Sequence, residues 1–211
     1  MAKLGVELVL DIETYAVPVA PHVKEFLIGD YEPPKNYKDP EKIAKHREEF
    51  MKNLDEQSCF KPYGNKLIAV GMAVVSGEKI VGAEARLGTE EELTQFFIDY
   101  LNDIGPKFVV IGCNIKFDLS NLLARVNKFG MSSRNKISKW SEIDLLYKPY
   151  SGYSAKTAAL AMGVKIPKFT GADVQQLVDD GKLEEVRQYN HDDVIMESEL
   201  FICAKRIHSF E

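Results

Sequence analysis

The chain has 211 residues, 45% of them hydrophobic, and a formal net charge of -5. That length and apolar content can bury a sizeable core and fit one large domain better than two small ones. The acidic balance excludes a protein that coats nucleic acid electrostatically, because such binders carry a strongly basic surface. No apolar run reaches the length needed to span a bilayer, and Met1 to Gly5 leads straight into a short strand with no secretory leader. A soluble, cytoplasmic protein without a membrane partner is therefore expected. The three cysteines, Cys59, Cys113 and Cys203, are far apart and in no metal-ligand spacing, which supports neither a disulfide framework nor a zinc site.

The first element is a strand over Leu8 to Thr14. Leu8, Val9, Leu10 and Ile12 make it apolar, while Asp11 and Glu13, at i and i+2, point to one face. Two adjacent acids repel and lose hydration, so a hydrophobic strand bears such a pair at a cost unless a cation neutralises it. A divalent metal is the natural candidate; the alternative is that Asp11 ends the strand and Glu13-Thr14 opens a solvated loop. Ala16 to Pro62 is a long interruption rich in charge and proline. One helix is expected in it, with Asp39 as N-cap, Pro40 in the first turn and apolar Ile43, Phe50, Met51 and Leu54.

Two strands follow, Lys66 to Ser76 and Lys79 to Ala85, joined by a tight turn at Ser76-Gly77. Thr89 caps a helix reaching about Ile104, Lys107 to Gly112 is a short strand, and a helix runs from Asp118 to about Phe129. Ile143 to Leu146 is the last strand. Helices at Ser154 to Met162, Gly171 to Asp180 and Leu183 to about His208 complete the chain. A hairpin followed by strands alternating with helices describes an α/β layer fold with a mixed central sheet.

Two further stretches carry chemistry. Asn114, Phe117 and Asp118 lie between the end of a strand and the start of a helix, at the carboxyl edge of the sheet where α/β ligand sites gather. Asp118 alone is as well explained as a helix N-cap. Asn114 and Phe117 add a hydrogen-bonding amide and a stacking surface of the kind single-stranded nucleic acid needs. On the last helix Tyr189 and Asp193 are i and i+4 and share one face. The bland alternative has Tyr189 in the core and Asp192-Asp193 on a solvated turn. His191 has no partner at ligand spacing and reads as structural or peripheral.

Together, Asp11-x-Glu13, Asn114-x-x-Phe117-Asp118 and Tyr189-x-x-x-Asp193 resemble, in order and register, the three motifs of the DEDD superfamily of 3′-to-5′ exonucleases. The resemblance covers roughly residues 6 to 205 and is nearest to the tyrosine branch, which includes the proofreading domains of family B DNA polymerases. The long first insertion and the final motif look most like stand-alone exonucleases related to that domain. The histidine branch places its histidine where this chain has Gln188, and His191 is out of register.

The resemblance implies a ribonuclease H-like fold, with 1-211 as a single exonuclease domain carrying a helical insertion at about 16-62. It also implies two Mg²⁺ or Mn²⁺ ions held by Asp11, Glu13, Asp118 and Asp193, and hydrolysis of single-stranded DNA, or RNA, from the 3′ end to nucleoside 5′-monophosphates. Asp11 is expected to bridge the ions, and Tyr189 to orient the attacking water. A polymerase or another replication or repair protein is a conceivable partner.

Thr14, Asn114, Phe117 and Lys168 are the expected contacts to the last nucleotides, with Lys165 and Asp144 ranked lower. Arg125, Lys128, Arg134, Lys136 and Lys139, in a stretch without an acid, suggest a basic face tracking the phosphate backbone or simply a solvated surface. Two other classes fit less well. A scaffold that binds nucleic acid without chemistry would not need all five motif residues, and a structure-specific endonuclease would not need Tyr189.

Overall fold

The structure is a computed structural model that describes residues 5–54, 58, 60–135, 141–147 and 149–207. Five strands, β1 (Val6–Ala16), β2 (Asn65–Ser76), β3 (Lys79–Leu87), β4 (Phe108–Gly112) and β5 (Ser141–Asp144), form one sheet in the order β3-β2-β1-β4-β5. β4 runs parallel to β1 and β5 parallel to β4, whereas β2 and β3 are antiparallel, so the sheet is mixed as expected. The helices are α1 (Pro21–Gly29), α2 (Pro40–Lys52), α3 (Glu90–Ile104), α4 (Ile115–Lys128), α5 (Ala155–Met162), α6 (Gly171–Asp179) and α7 (Leu183–Ile207). Among the described residues, no helix is long and apolar enough to cross a membrane.

Period-two alternation divides the core into two layers, one on each face of the sheet. Leu8, Leu10 and Ile12 of β1 and Phe108 and Val110 of β4 pack with Phe97 and Leu101 of α3 and Leu119 and Leu122 of α4. Val9 of β1 and Val109 and Ile111 of β4 pack on the other side, with Ala158 and Ala159 of α5 and Val194, Leu200 and Phe201 of α7. All five residues of β4 are buried, which is why that strand reads as a continuous apolar run rather than an alternating one. Asp11 and Glu13 have the parity of Val9, so they face the layer that contains α7.

Local chemistry sets most element ends where expected. Thr89 and Glu92 form a reciprocal capping box at the start of α3, Asp39 accepts from the Glu41 amide ahead of α2, and Gly77 turns the hairpin at a φ of 63°. Three features differ from expectation, the first being the last strand, which lies at Ser141–Asp144 rather than at Ile143 to Leu146. The insertion contains a second helix, α1, with Pro21 in its first turn and no side-chain cap from Ala20. α4 begins three residues early because Asn114 adopts the left-handed conformation at its N-cap, φ 60° and ψ 36°. Asp118 therefore lies within the first turn and is not the cap.

Tyr15–Lys66 forms a compact unit distinct from that made by Met1–Thr14 and Leu67–Glu211. Within it Tyr31 lies against Phe50, 5.1 Å between ring centroids, and its hydroxyl meets Nδ1 of His46 at 2.6 Å. Tyr37 packs edge-on against the same imidazole.

The fold takes Arg125 out of the expected basic face. Arg125 is buried, its side chain 2% exposed, and it donates to Glu90 Oε1 at 2.7 Å and to the carbonyl and side chain of Asn121. Lys128 closes on Glu90 Oε2 at 2.7 Å. Both cations are committed to an ion network between α3 and α4, while Arg134 is exposed and Lys136 and Lys139 lie outside the described residues. Cys113 and Cys203 are free and half-buried; Cys59 and His208 lie outside the described residues.

Candidate metal centre

Strand parity and helix periodicity bring the acids together from distant parts of the chain. Asp11 and Glu13 project from β1 toward α7, where Tyr189, Asp193 and Glu197 recur at four-residue intervals along one side. One carboxylate oxygen each from Asp11, Glu13 and Asp193 lies within 4.8 Å of the others. Glu13 and Asp193 are buried and Asp11 is half-buried. The strand-end alternative for Asp11 does not hold, since β1 continues to Ala16.

Asp118 approaches from α4. It is 3% exposed, and its Oδ1 accepts the backbone N–H of Ile12 at 3.2 Å, the amide lying between the two motif acids of β1. It stands outside the group of three. The second acid pair resolves by face: Asp192 takes a hydrogen bond from Gln188 at 2.9 Å, whereas Asp193 turns inward and accepts one from the Tyr189 hydroxyl. His191 is half-buried beside Asp192, 3.8 Å away.

These acids are in an environment that opposes their ionisation. Burial first, and then the charge of Glu13, pushes Asp11 well above the usual carboxylate range; burial and then Asp193 do the same to Glu13. Burial raises Asp118 and lifts Asp193 to about 6. Burial and the neighbouring Glu13 also push the Tyr189 phenol up, so it stays protonated at neutral pH. Such an arrangement of hard oxygen donors, close-packed and mutually repelling, fits a metal cation, whose charge would reverse the repulsion.

The remaining expected contacts are dispersed. Thr14 is half-buried on β1, next after Glu13. Asn114 is exposed; its backbone N–H donates to Asp144 Oδ1 at 3.2 Å, and the same oxygen accepts from Leu146 N at 2.9 Å. Asp144 thus ties two loops together. Phe117 is half-buried against the α3–α4 layer. Lys168 is exposed, with its ammonium 4.6 Å from the centre of the Phe169 ring, and the cation whose field lowers Glu13 and Asp193 is instead Lys156. Lys156 is anchored on the Phe169 carbonyl and lies 5.5 Å from the centre of the Tyr189 ring.

The sequence matches no protein-family model and no curated protein. Among solved structures it is similar to a family B DNA polymerase from the hyperthermophilic archaeon Pyrobaculum calidifontis, at 14% identity and a TM-score of 0.59. The match covers 96% of this chain and 24% of the polymerase. The fold is ribonuclease H-like. Similarity extends to the RNase domain of the yeast Pop2 protein, at 12% identity, a TM-score of 0.49 and coverage of 97% and 78%, and to Exonuclease I, at 12% identity, a TM-score of 0.47 and coverage of 97% and 43%. The chain thus spans about a quarter of the polymerase and less than half of Exonuclease I.

Within this ribonuclease H-like frame, three residues next to the acids were not singled out from the sequence. Glu197, one helical turn beyond Asp193, is 3% exposed; it accepts from the backbone and thiol of Cys113, and its Oε2 has no hydrogen-bond partner among the described residues. An acid at i+4 from a motif acid was the available signal. Asn190 donates to Asp11 Oδ2 at 2.6 Å. Lys156 could not be told from other lysines by spacing, because its approach depends on how α5 packs on α7.

Proposed function

We propose that the protein is a metal-dependent 3′-to-5′ exonuclease of the tyrosine branch of the DEDD superfamily, acting on single-stranded DNA ends, with RNA as the alternative substrate. The observation that carries this reading is the meeting of Asp11, Glu13 and Asp193, drawn from the first and third motifs, within 4.8 Å of one another. Tyr189 is hydrogen-bonded to one of them. Asp118 of the second motif stands on the Ile12 amide between the first two. The fold shared with part of a family B polymerase supports the same reading.

In this reading Asp11, Glu13 and Asp193 hold two Mg²⁺ or Mn²⁺ ions with Asp118 completing the set. Bound there, such ions lower the pKa of a water and neutralise charge at the phosphodiester. The chain's own contribution is positional. Tyr189, kept protonated by burial, donates its one hydrogen bond to Asp193, and its oxygen remains free to accept one from the attacking water and so orient it. Phe117 and Asn114 offer stacking and hydrogen bonding to the last bases, and Thr14 and Lys168 contact the terminal nucleotides. The products are nucleoside 5′-monophosphates. Residues 1-211 act as one catalytic domain in the cytoplasm, with 16-62 as an insertion.

The test is digestion of a 5′-labelled single-stranded DNA with Mg²⁺ or Mn²⁺, alongside EDTA, a 3′-blocked strand, an RNA strand and Asp11→Ala. A ladder shortening from the 3′ end, lost in EDTA, in the mutant and on the blocked strand, is the expected result. Cleavage of the blocked strand would indicate an endonuclease. No cleavage by folded protein with either metal would leave a binding scaffold.

A further inference from the structure

We infer that Asn190 is a positioning residue for this centre: it grips one oxygen of Asp11 and so fixes how Asp11 presents the other to the cations, an inference that rests on the metal site proposed above. Asn190 is fully buried, 0% exposed, on the turn of α7 that also carries Tyr189 and Asp193. Its Nδ2 donates to Asp11 Oδ2 at 2.6 Å. The other half of the amide, Oδ1, is buried without a hydrogen-bond partner among the described residues. A buried carbonyl left unpaired opposes folding, so this amide carries a cost that its bond to Asp11 must offset.

Two further observations fit a dedicated role. First, β2 makes room for the amide. A Cβ built on Gly71 would stand 2.7 Å from Asn190 Oδ1 and 2.6 Å from Val194 Cγ2, closer than real Cβ atoms come, so glycine at this position lets Asn190 reach Asp11. Second, Asp11 is surrounded by Glu13, Glu197, Asp118 and Asp193, each of which raises its pKa. Without a donor, repulsion would turn its carboxylate away from the others. A lysine or arginine would hold it too, but by occupying the place of a cation. A neutral amide orients the carboxylate and leaves its charge available to metal, as outer-shell hydrogen bonds do at metal sites.

The test compares wild type with Asn190→Leu and, as a smaller polar alternative, Asn190→Ser. Mn²⁺ binding is measured by electron paramagnetic resonance, thermal unfolding is followed in EDTA, and kcat and KM are determined on a single-stranded oligonucleotide. The expected result is a leucine variant that still folds, with Mn²⁺ affinity about 10- to 100-fold weaker. At subsaturating Mn²⁺ kcat falls with KM retained, and excess Mn²⁺ restores part of it. Gly71→Ala, which crowds the amide, should weaken Mn²⁺ binding in the same direction. A folded leucine or serine variant that binds Mn²⁺ like wild type overturns the assignment of Asn190 while leaving the exonuclease reading intact. Weakened Mn²⁺ binding in the variants, in a protein that shortens no oligonucleotide, supports Asn190 and overturns the exonuclease instead. A wild type that binds no Mn²⁺ overturns both.

Discussion

Two groups of buried charge lie on opposite faces of the same sheet, and they are built on opposite plans. Around Glu90, an acid meets two cations and a backbone amide: Arg125 and Lys128 at 2.7 Å each, and Leu67 N at 3.2 Å. Partial burial raises its pKa, but the Lys128 hydrogen bond and the Arg125 charge outweigh this and hold Glu90 below its ordinary range. Around Asp11, acid meets acid, and every motif carboxylate is pushed up. The first group is electrically complete within the fold, whereas in the second the one cation that lowers Glu13 and Asp193, Lys156, does not offset burial and the neighbouring acids. Burial alone therefore does not mark a binding site; burial with unbalanced charge does.

The largest expected effect comes from breaking the unbalanced group. Asp11→Ala or Asp193→Asn should lower metal-dependent shortening of an oligonucleotide by about 10³-fold or more, the scale of several kcal/mol of lost charge stabilisation. The same variants, unfolded thermally in EDTA, should be no less stable than wild type, because each removes a repelling acid. Breaking the balanced group should do the reverse. Arg125→Met leaves Glu90 with Lys128 as its only cation and should cost on the order of 3 kcal/mol, a fall in melting temperature on the order of 10 °C, with the folded fraction still able to bind Mn²⁺.

The two groups also have opposite pH dependence. Asp193 titrates near 6 in the folded state. Between the unfolded carboxylate value of about 4 and that point, the folded protein retains a proton that the unfolded chain has released. Its contribution to stability is full below about pH 4 and is lost as the pH rises through about 6. Glu90, lowered, contributes stability above the unfolded value that is lost on acidification. Melting curves of the metal-free protein should decline from pH 5 to 8, and Mg²⁺ should restore more stability at pH 8 than at pH 5. Arg125→Met should flatten the acid side of the profile only. The smallest effect is expected from Lys128→Ala, an arm whose side chain is 59% exposed. It should cost under about 1 kcal/mol and leave the salt dependence of oligonucleotide binding unchanged.

What the sequence could and could not disclose follows the same division. The meeting of Asp11, Glu13 and Asp193 was legible because strand parity and helix periodicity are local rules: Asp11 with Glu13, and Tyr189 with Asp193, share faces for reasons visible within five residues. Capping at Thr89 and Asp39 was legible for the same reason. That Arg125 is buried rather than part of a basic face was not legible, because its partner Glu90 lies 35 residues earlier in the chain. The early start of α4 was hidden in one left-handed asparagine, a conformation that spacing does not announce. α1 was missed because Ala20 provides no side-chain cap to signal it. Asn190 sits inside a motif whose register was read for ligands, and its use depends on a glycine 119 positions earlier in a different element.

The register between β1 and β4 ends at Val9 and Ile111, so β1 outlasts its neighbour by several residues. Past that point the Ile12 amide, which would otherwise seek a sheet partner, points to Asp118. That proton is a natural sensor inside the centre. In a ¹⁵N-labelled sample its resonance position and its solvent-exchange rate should follow the charge on Asp118, and should move when a divalent cation enters, before any substrate is present.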